Sequence, residues 1–307
     1  MSATIKTGTT SWADKSMISS GFYPRGTSSA EARLRYYATQ FPIVENDSAY
    51  YAVPTREQTE LWAARTPPGF TLNIKAFASL TGHYTDPRRL PEDIRSALSP
   101  SVQAKRRAYP KDLGPEIVAE MGARFRDAIE PLRAAGRLGV VLFQFPVWFP
   151  YTIDNQETLR RTRDIVAGCR VAVEFRNATW LSDTNRERTM ALLRDHGLVY
   201  TCVDEPQGFA SSVPPVAEAT SDLALVRFHG RSTERWQKAE QTAAERFQYL
   251  YSPPELAEWV PKIRRLADNA DEVHVLMNNC WQDYAVVNAR QMTALLESRP
   301  VSTQDRR

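Results

Sequence analysis

The sequence predicts an α/β protein built as a single (β/α)8 TIM-like barrel, and three observations carry that expectation. Eight short β-rich runs alternate along the chain with amphipathic helical stretches. At 307 residues the chain has the size of one such barrel. No glycine-rich nucleotide turn follows the first run, which favours closure over an open doubly wound sheet.

The strand candidates are Thr4–Thr10, Ile43–Asp47, Thr71–Phe77, Gly139–Phe145, Arg170–Arg176, Val199–Asp204, Leu223–His229 and Val273–Asn279. Between them, apolar residues recur at three- and four-residue spacing. Leu34, Tyr37, Ala38 and Phe41 make one stripe, Met121, Phe125, Ile129 and Leu132 a second, and Leu256, Trp259 and Ile263 a third. Thr55 with Gln58, and Ser252 with Pro253 and Glu255, read as helix starts. Pro131 and Pro261 fall inside helical patterns and predict a kink or break near each. The long connection Ala78–Pro115 is expected to cover the barrel mouth. Glu205–Asp222 lacks helical periodicity, so the sixth crossover is expected to be irregular. The barrel domain is assigned to residues 1–297 and a polar C-terminal tail to residues 298–307.

Composition narrows the function classes. A net charge of +3 does not by itself imply a nucleic-acid partner. The longest apolar runs, such as Leu138–Phe149, are strand-sized, so no membrane partner is expected. The N-terminus has no basic region leading into an apolar segment, and a cytoplasmic location is expected. Cys169, Cys202 and Cys280 lack the spacing of a zinc site or disulfide framework and read as reduced thiols.

Barrel proteins build their sites from inward side chains at the C-terminal strand ends. Alternation with period two aims Glu45 and Asp47, Asn73 and Lys75, and Gln144 inward from strands two to four. It aims Glu174 and Arg176 inward from strand five, Tyr200, Cys202 and Asp204 from strand six, and Arg227 and His229 from strand seven. The eighth strand contributes Asn278 or Asn279. An alternative reading makes Glu174–Arg227 or Asp204–Arg176 structural ion pairs in the top layer. Mouth aromatics, among them Trp12, Tyr50, Tyr51, Trp148, Trp180 and Trp236, suit stacking on a flat ligand or simple loop packing.

In this order and spacing, GTTSW (Gly8–Trp12), VENDSAYYAVP (Val44–Pro54), IKAFASLTGH (Ile74–His83), LGVVLFQFP (Leu138–Pro146), EFRNATW (Glu174–Trp180), VRFHGR (Val226–Arg231), RFQYLYSPPEL (Arg246–Leu256) and MNNCWQDYAVVNA (Met277–Ala289) resemble the DUF72 (YecE-like) family nearly end to end. The resemblance implies a TIM-barrel-like fold and supplies no reaction. Family motifs map onto Glu45, Lys75, Gln144, Glu174, Arg176, Asp204, Arg227, His229, Arg231 and Asn279. Asp47 stands where many relatives carry Asn, and Asn177 and Cys280 stand where His is common.

The expected chemistry is an enzyme using acid–base groups on a small anionic ligand: phosphorylated, carboxylated or nucleotide-like. Arg176, Arg227, Arg231 and Lys75 would attract the anion. Glu174 is the expected general acid or base, with its pKa raised by apolar walls, and His229 and Asp204 are further proton carriers. Lys75 could also serve as a Schiff-base amine if desolvated. Two alternatives stand beside this. One is a divalent-metal-assisted hydrolase or isomerase, with Glu45, Glu174, Asp204 and His229 as ligands. The other is a non-catalytic RNA- or nucleotide-binding protein using the basic, aromatic mouth. No cofactor is clearly encoded.

Overall fold

The computed structural model describes residues 3–237 and 247–298. Residues 299–307, nearly all of the proposed polar tail, lie outside the described residues. Eight parallel strands close in sequence order: β1 (Thr4–Thr9), β2 (Ile43–Asn46), β3 (Thr71–Lys75), β4 (Leu138–Gln144), β5 (Arg170–Glu174), β6 (Val199–Asp204), β7 (Leu223–Phe228) and β8 (Glu272–Met277). Each lies within two residues of its sequence-based bounds at either end. The β-rich runs and the closed barrel are therefore as expected.

Ile43, Val140, Leu142, Ala172, Val199, Leu223, Leu225 and Leu276 fill the interior as one apolar cluster. The outer faces of the strands pack under helices. The helix Pro115–Ala134 buries Met121, Phe125, Ile129 and Leu132 along one stripe. Both anticipated capping boxes form, at Thr55 with Gln58 and at Ser252 with Glu255.

The two prolines behave differently. Pro131 does not break its helix, which continues to Ala134. The Asp127 carbonyl, which loses its amide donor to the proline, accepts from Arg56 Nη1 at 3.5 Å. Pro261 sits at the start of the helix Val260–Ala267, separated from the preceding helix Pro253–Ala257. That is where proline fits without cost.

The sixth crossover carries no helix, in line with its sequence. The connection after β3 holds the short helices Glu92–Ala97, Pro100–Gln103 and Pro110–Leu113, and one antiparallel bridge, Thr85 to Ala108. The expectation for β6 is corrected. Thr201 and Val203 pair with Leu225 and Arg227, whose side chains face the axis, so Tyr200, Cys202 and Asp204 face the helices. Every residue of this strand is buried, so burial on both faces erases the alternation that would have told them apart.

Closure depends on a close approach between β1 and β2. A Cβ placed on Gly8 would lie 2.1 Å from the Ile43 carbonyl oxygen, a backbone atom that cannot step aside. Gly8→Ala is expected to lower unfolding free energy by roughly 3 kcal/mol, the upper end for overpacking. Urea denaturation checks this, and an unchanged midpoint would mean the seam accommodates a side chain.

Candidate functional site

The strand ends converge on a network centred on Arg227, fully buried on β7. Its Nη2 donates to Glu45 Oε1 of β2 at 2.7 Å, and its Nη1 donates to Glu174 Oε2 of β5. The other oxygen of Glu174 accepts from Gln144 Nε2 at 2.5 Å and is ion-paired with Arg176 Nη2 at 2.6 Å. His229 Nε2 lies 3.2 Å from the same oxygen. Arg176 continues the chain of charges to Glu205, whose Oε1 accepts from the Val213 amide at 2.8 Å.

These contacts revise the expected proton chemistry. Burial raises the Glu174 pKa, but Arg176 and Arg227, with His229, outweigh it and hold the carboxyl well below its usual range. Glu174 is therefore an ionised anchor with both oxygens occupied, not the acid with a raised pKa that the sequence suggested. His229 is neutral, because burial and the Arg176 charge push its pKa down to about 3. Its Nδ1 lies 2.7 Å from the Asn278 side-chain amide, and Arg176 Nη2 lies 2.9 Å from its Nε2. A ring so engaged is a weak proton acceptor.

Asp204 does not reach this network. Facing the helices, it accepts from Arg231 Nε and Nη2 at 2.9 and 2.8 Å, Tyr251 Oη at 2.7 Å and Trp259 Nε1 at 2.6 Å. Arg231 is held there by Asp204 and Glu258 and does not line the cavity. Asn279 also turns outward, donating to Asn288 Oδ1 at 2.7 Å and the Tyr249 carbonyl at 2.8 Å. Its neighbour Asn278 is the one that meets His229. Glu205, not among the residues expected from alternation, takes the inward position one residue beyond Asp204. Burial pushes its pKa up to about 7 against the pull of Arg176.

Above the network opens a cavity of about 570 Å³. Lys75, Gln144 and Arg176 supply its charged and amide groups, and Tyr50, Tyr51, Trp148 and Trp236 supply flat walls. His83, which the sequence reading did not assign a role, also lines it. Burial pushes this ring's pKa down to about 3, leaving it neutral. Trp180 is not at the mouth: it is fully buried, stacked 4.5 Å from Phe175, and donates Nε1 to the Phe149 carbonyl at 2.7 Å. Trp12 packs edge-on against Trp62 at 5.4 Å and does not line the cavity.

Two charged groups at the strand ends have no ion-pair partner among the described residues. Lys75 Nζ sits 4.5 Å from the centroid of Tyr50. Burial, reinforced by Arg227, pushes its pKa down to about 8 against Glu174, Asp47 and Glu45. Asp47, at the end of β2, makes no side-chain hydrogen bond as a helix cap. Burial raises its pKa against Lys75 and Arg227. The expected metal-ligand set does not converge, since Asp204 is on the other face and arginines occupy Glu45 and Glu174. Among the described residues no three His, Cys, Asp or Glu side chains are grouped to hold a metal ion.

The architecture defines a closed parallel barrel with a cavity at its C-terminal strand ends lined by Lys75, Arg176 and aromatic rings. The chain belongs to the DUF72 family, whose model, described as a protein of unknown function, matches residues 6–307. The UPF0759 protein YunF of Bacillus subtilis is 32% identical over 297 residues, 95% of each chain. A DUF72 family crystal structure from Thermotoga maritima superposes with a TM-score of 0.75 at 30% identity, covering 96% of this chain and 100% of that one. Another from Enterococcus faecalis gives 0.76 at 25% identity, covering 96% of both. No helix among the described residues is long and apolar enough to cross a membrane.

Breaking the central pair leaves Arg227 buried with half its compensation. Glu174→Gln is expected to cost about 3–5 kcal/mol, the usual loss when one member of a buried pair is removed. Because the folded pKa of Glu174 is depressed, its contribution is complete above its ordinary value of 4.5. It is lost as pH falls through the lower folded value. Thermal melts of both proteins should therefore converge in strong acid, whereas an equal gap at every pH would contradict the ionised anchor.

Proposed function

We propose that the protein is an enzyme acting on a small anionic molecule held in the strand-end cavity, with Lys75 as its base. The observation that carries this reading is the contrast between Lys75 and the surrounding charges. Glu45, Glu174, Arg176, Arg227 and Glu205 are all bound to one another, while Lys75 lines the cavity without an ion pair. A structural lysine would gain from a direct carboxylate contact. One kept apart from its acidic neighbours has its amine available to a ligand.

Electrostatics support the substrate class. Lys75 and Arg176 both line the same concave space, where low-dielectric walls strengthen their pull on an anion. Arg176 is also held over the Trp236 ring, 5.3 Å from its centroid, which orients the guanidinium beside its partners Glu174 and Glu205. A proton carrier works best with a pKa near the working pH. Burial moves Lys75 down to about 8, towards that range. The ionised Glu174 and neutral His229 then form a fixed floor that orients Arg176.

Screening phosphorylated and carboxylated metabolites by thermal shift, followed by product analysis of the hits, identifies a substrate. With that substrate, Lys75→Met should lower kcat by about 10²–10⁴-fold, the usual worth of a positioned proton carrier. Turnover in the unsubstituted enzyme should rise with pH towards about 8 as the amine loses its proton. Undiminished kcat in Lys75→Met would overturn the assignment.

A further inference from the structure

Beside the main cavity, and sharing Tyr50 and Tyr51 with it as a common wall, lies a second groove of about 310 Å³. Its other side is set with Arg88, Arg89, Arg106 and Arg107. These come from two stretches of the connection after β3, separated by sixteen residues of chain between Arg89 and Arg106. The Thr85–Ala108 bridge clamps the stretches together through two backbone hydrogen bonds of 2.9 Å, Thr85 N to Ala108 O and Ala108 N to Thr85 O. The cluster is thus fixed by the fold of the connection.

The charges of this groove are largely uncompensated. Arg88 is tied to Asp86, with Nε 2.9 Å from Oδ1. Arg89, Arg106 and Arg107 have no ion pair among the described residues. Arg89 lies over the Tyr51 ring, 5.8 Å from its centroid, and Arg107 over Tyr84 at 4.9 Å. Ring contacts of this kind restrict a guanidinium while leaving its charge and donors in place. Four arginines against one aspartate leave three positive charges in excess. Like charges so close repel, and an anion relieves that repulsion.

We infer that this groove is a second anion subsite, and that the natural ligand carries two anionic groups. One group meets Lys75 and Arg176 in the main cavity, and a phosphate-type group meets Arg89, Arg106 and Arg107. The body between them lies along the shared tyrosine wall. Tyr50 and Tyr51 stand at 89° to each other, 5.0 Å between centroids, so the wall offers both a ring face and a ring edge to a flat body. Guanidinium forks suit phosphate oxygens, which accept two parallel donors. The main cavity alone is within the usual range for a small-molecule site, and the groove extends it in one direction. The inference rests on the proposed anion site and names its substrate class: compounds with two separated charges.

Titration calorimetry of the full chain with adenosine 5′-monophosphate and adenosine 3′,5′-bisphosphate tests it. The bisphosphate should bind at least about ten-fold more tightly, a modest return for several charge-assisted contacts. The double variant Arg106→Ala/Arg107→Ala replaces two exposed side chains, and its unchanged thermal melt verifies folding. In it the bisphosphate should fall to the affinity of the monophosphate, while the monophosphate itself changes little. A bisphosphate advantage that persists in the double variant, or none in the original protein, overturns the second subsite alone. If neither nucleotide binds, the anion-binding reading of the main cavity falls with it.

Discussion

The Arg227 guanidinium, buried between Glu45 and Glu174, is the interaction on which the rest of the site depends. It joins β7 to β2 and β5 across the top of the barrel through charged hydrogen bonds. An arginine inside an apolar barrel costs several kcal/mol of desolvation unless its partners are close and well aligned. Glu174 completes the arrangement by taking Gln144 and Arg176 on its second oxygen, and Arg176 extends it to Glu205. Each member is held by the next, so the floor of the cavity is fixed before any ligand arrives.

That commitment determines which charged groups stay unpaired. Glu174 cannot readily leave two arginines to take a proton, and neutral His229 is spent on Arg176 and Asn278. Lys75 and Asp47 feel the same network at longer range, where it biases their ionisation without occupying them. The burial that strips the paired charges of water also shifts the ionisation of the unpaired Lys75 and Asp47. Aromatic rings of Tyr50, Trp148 and Trp236 wall the space above them.

The barrel was readable in the sequence because helical and strand periodicities alternate cleanly, and because two helix starts carry capping boxes. Inward orientation was readable on β2, β4, β5 and β7, where charged and amide residues interrupt apolar runs on one face. It failed on β6, whose residues are all buried. On β6 the error is one residue in phase, with Asp204 expected where Glu205 stands, while alternation leaves Asn278 and Asn279 open and the structure turns Asn278 inward. With a period of two, such a slip sends a side chain to the opposite face. The roles of Trp12 and Trp180 were not legible, since packing under a loop and lining its cavity require the same residue type. His83 and the arginine groove depend on how the connection after β3 folds back on itself, which periodicity does not encode.

The central claim is that Lys75 stands apart from a network that has absorbed the other charges. Nuclear magnetic resonance titration of Lys75, with its amine isotopically labelled and Lys75→Arg used to assign the signal, tests that directly. The account predicts that Lys75 loses its proton near pH 8, well below the ordinary lysine value of 10.5. A midpoint at or above 10.5 would mean that the ammonium is held by a carboxylate, and the account would be contradicted.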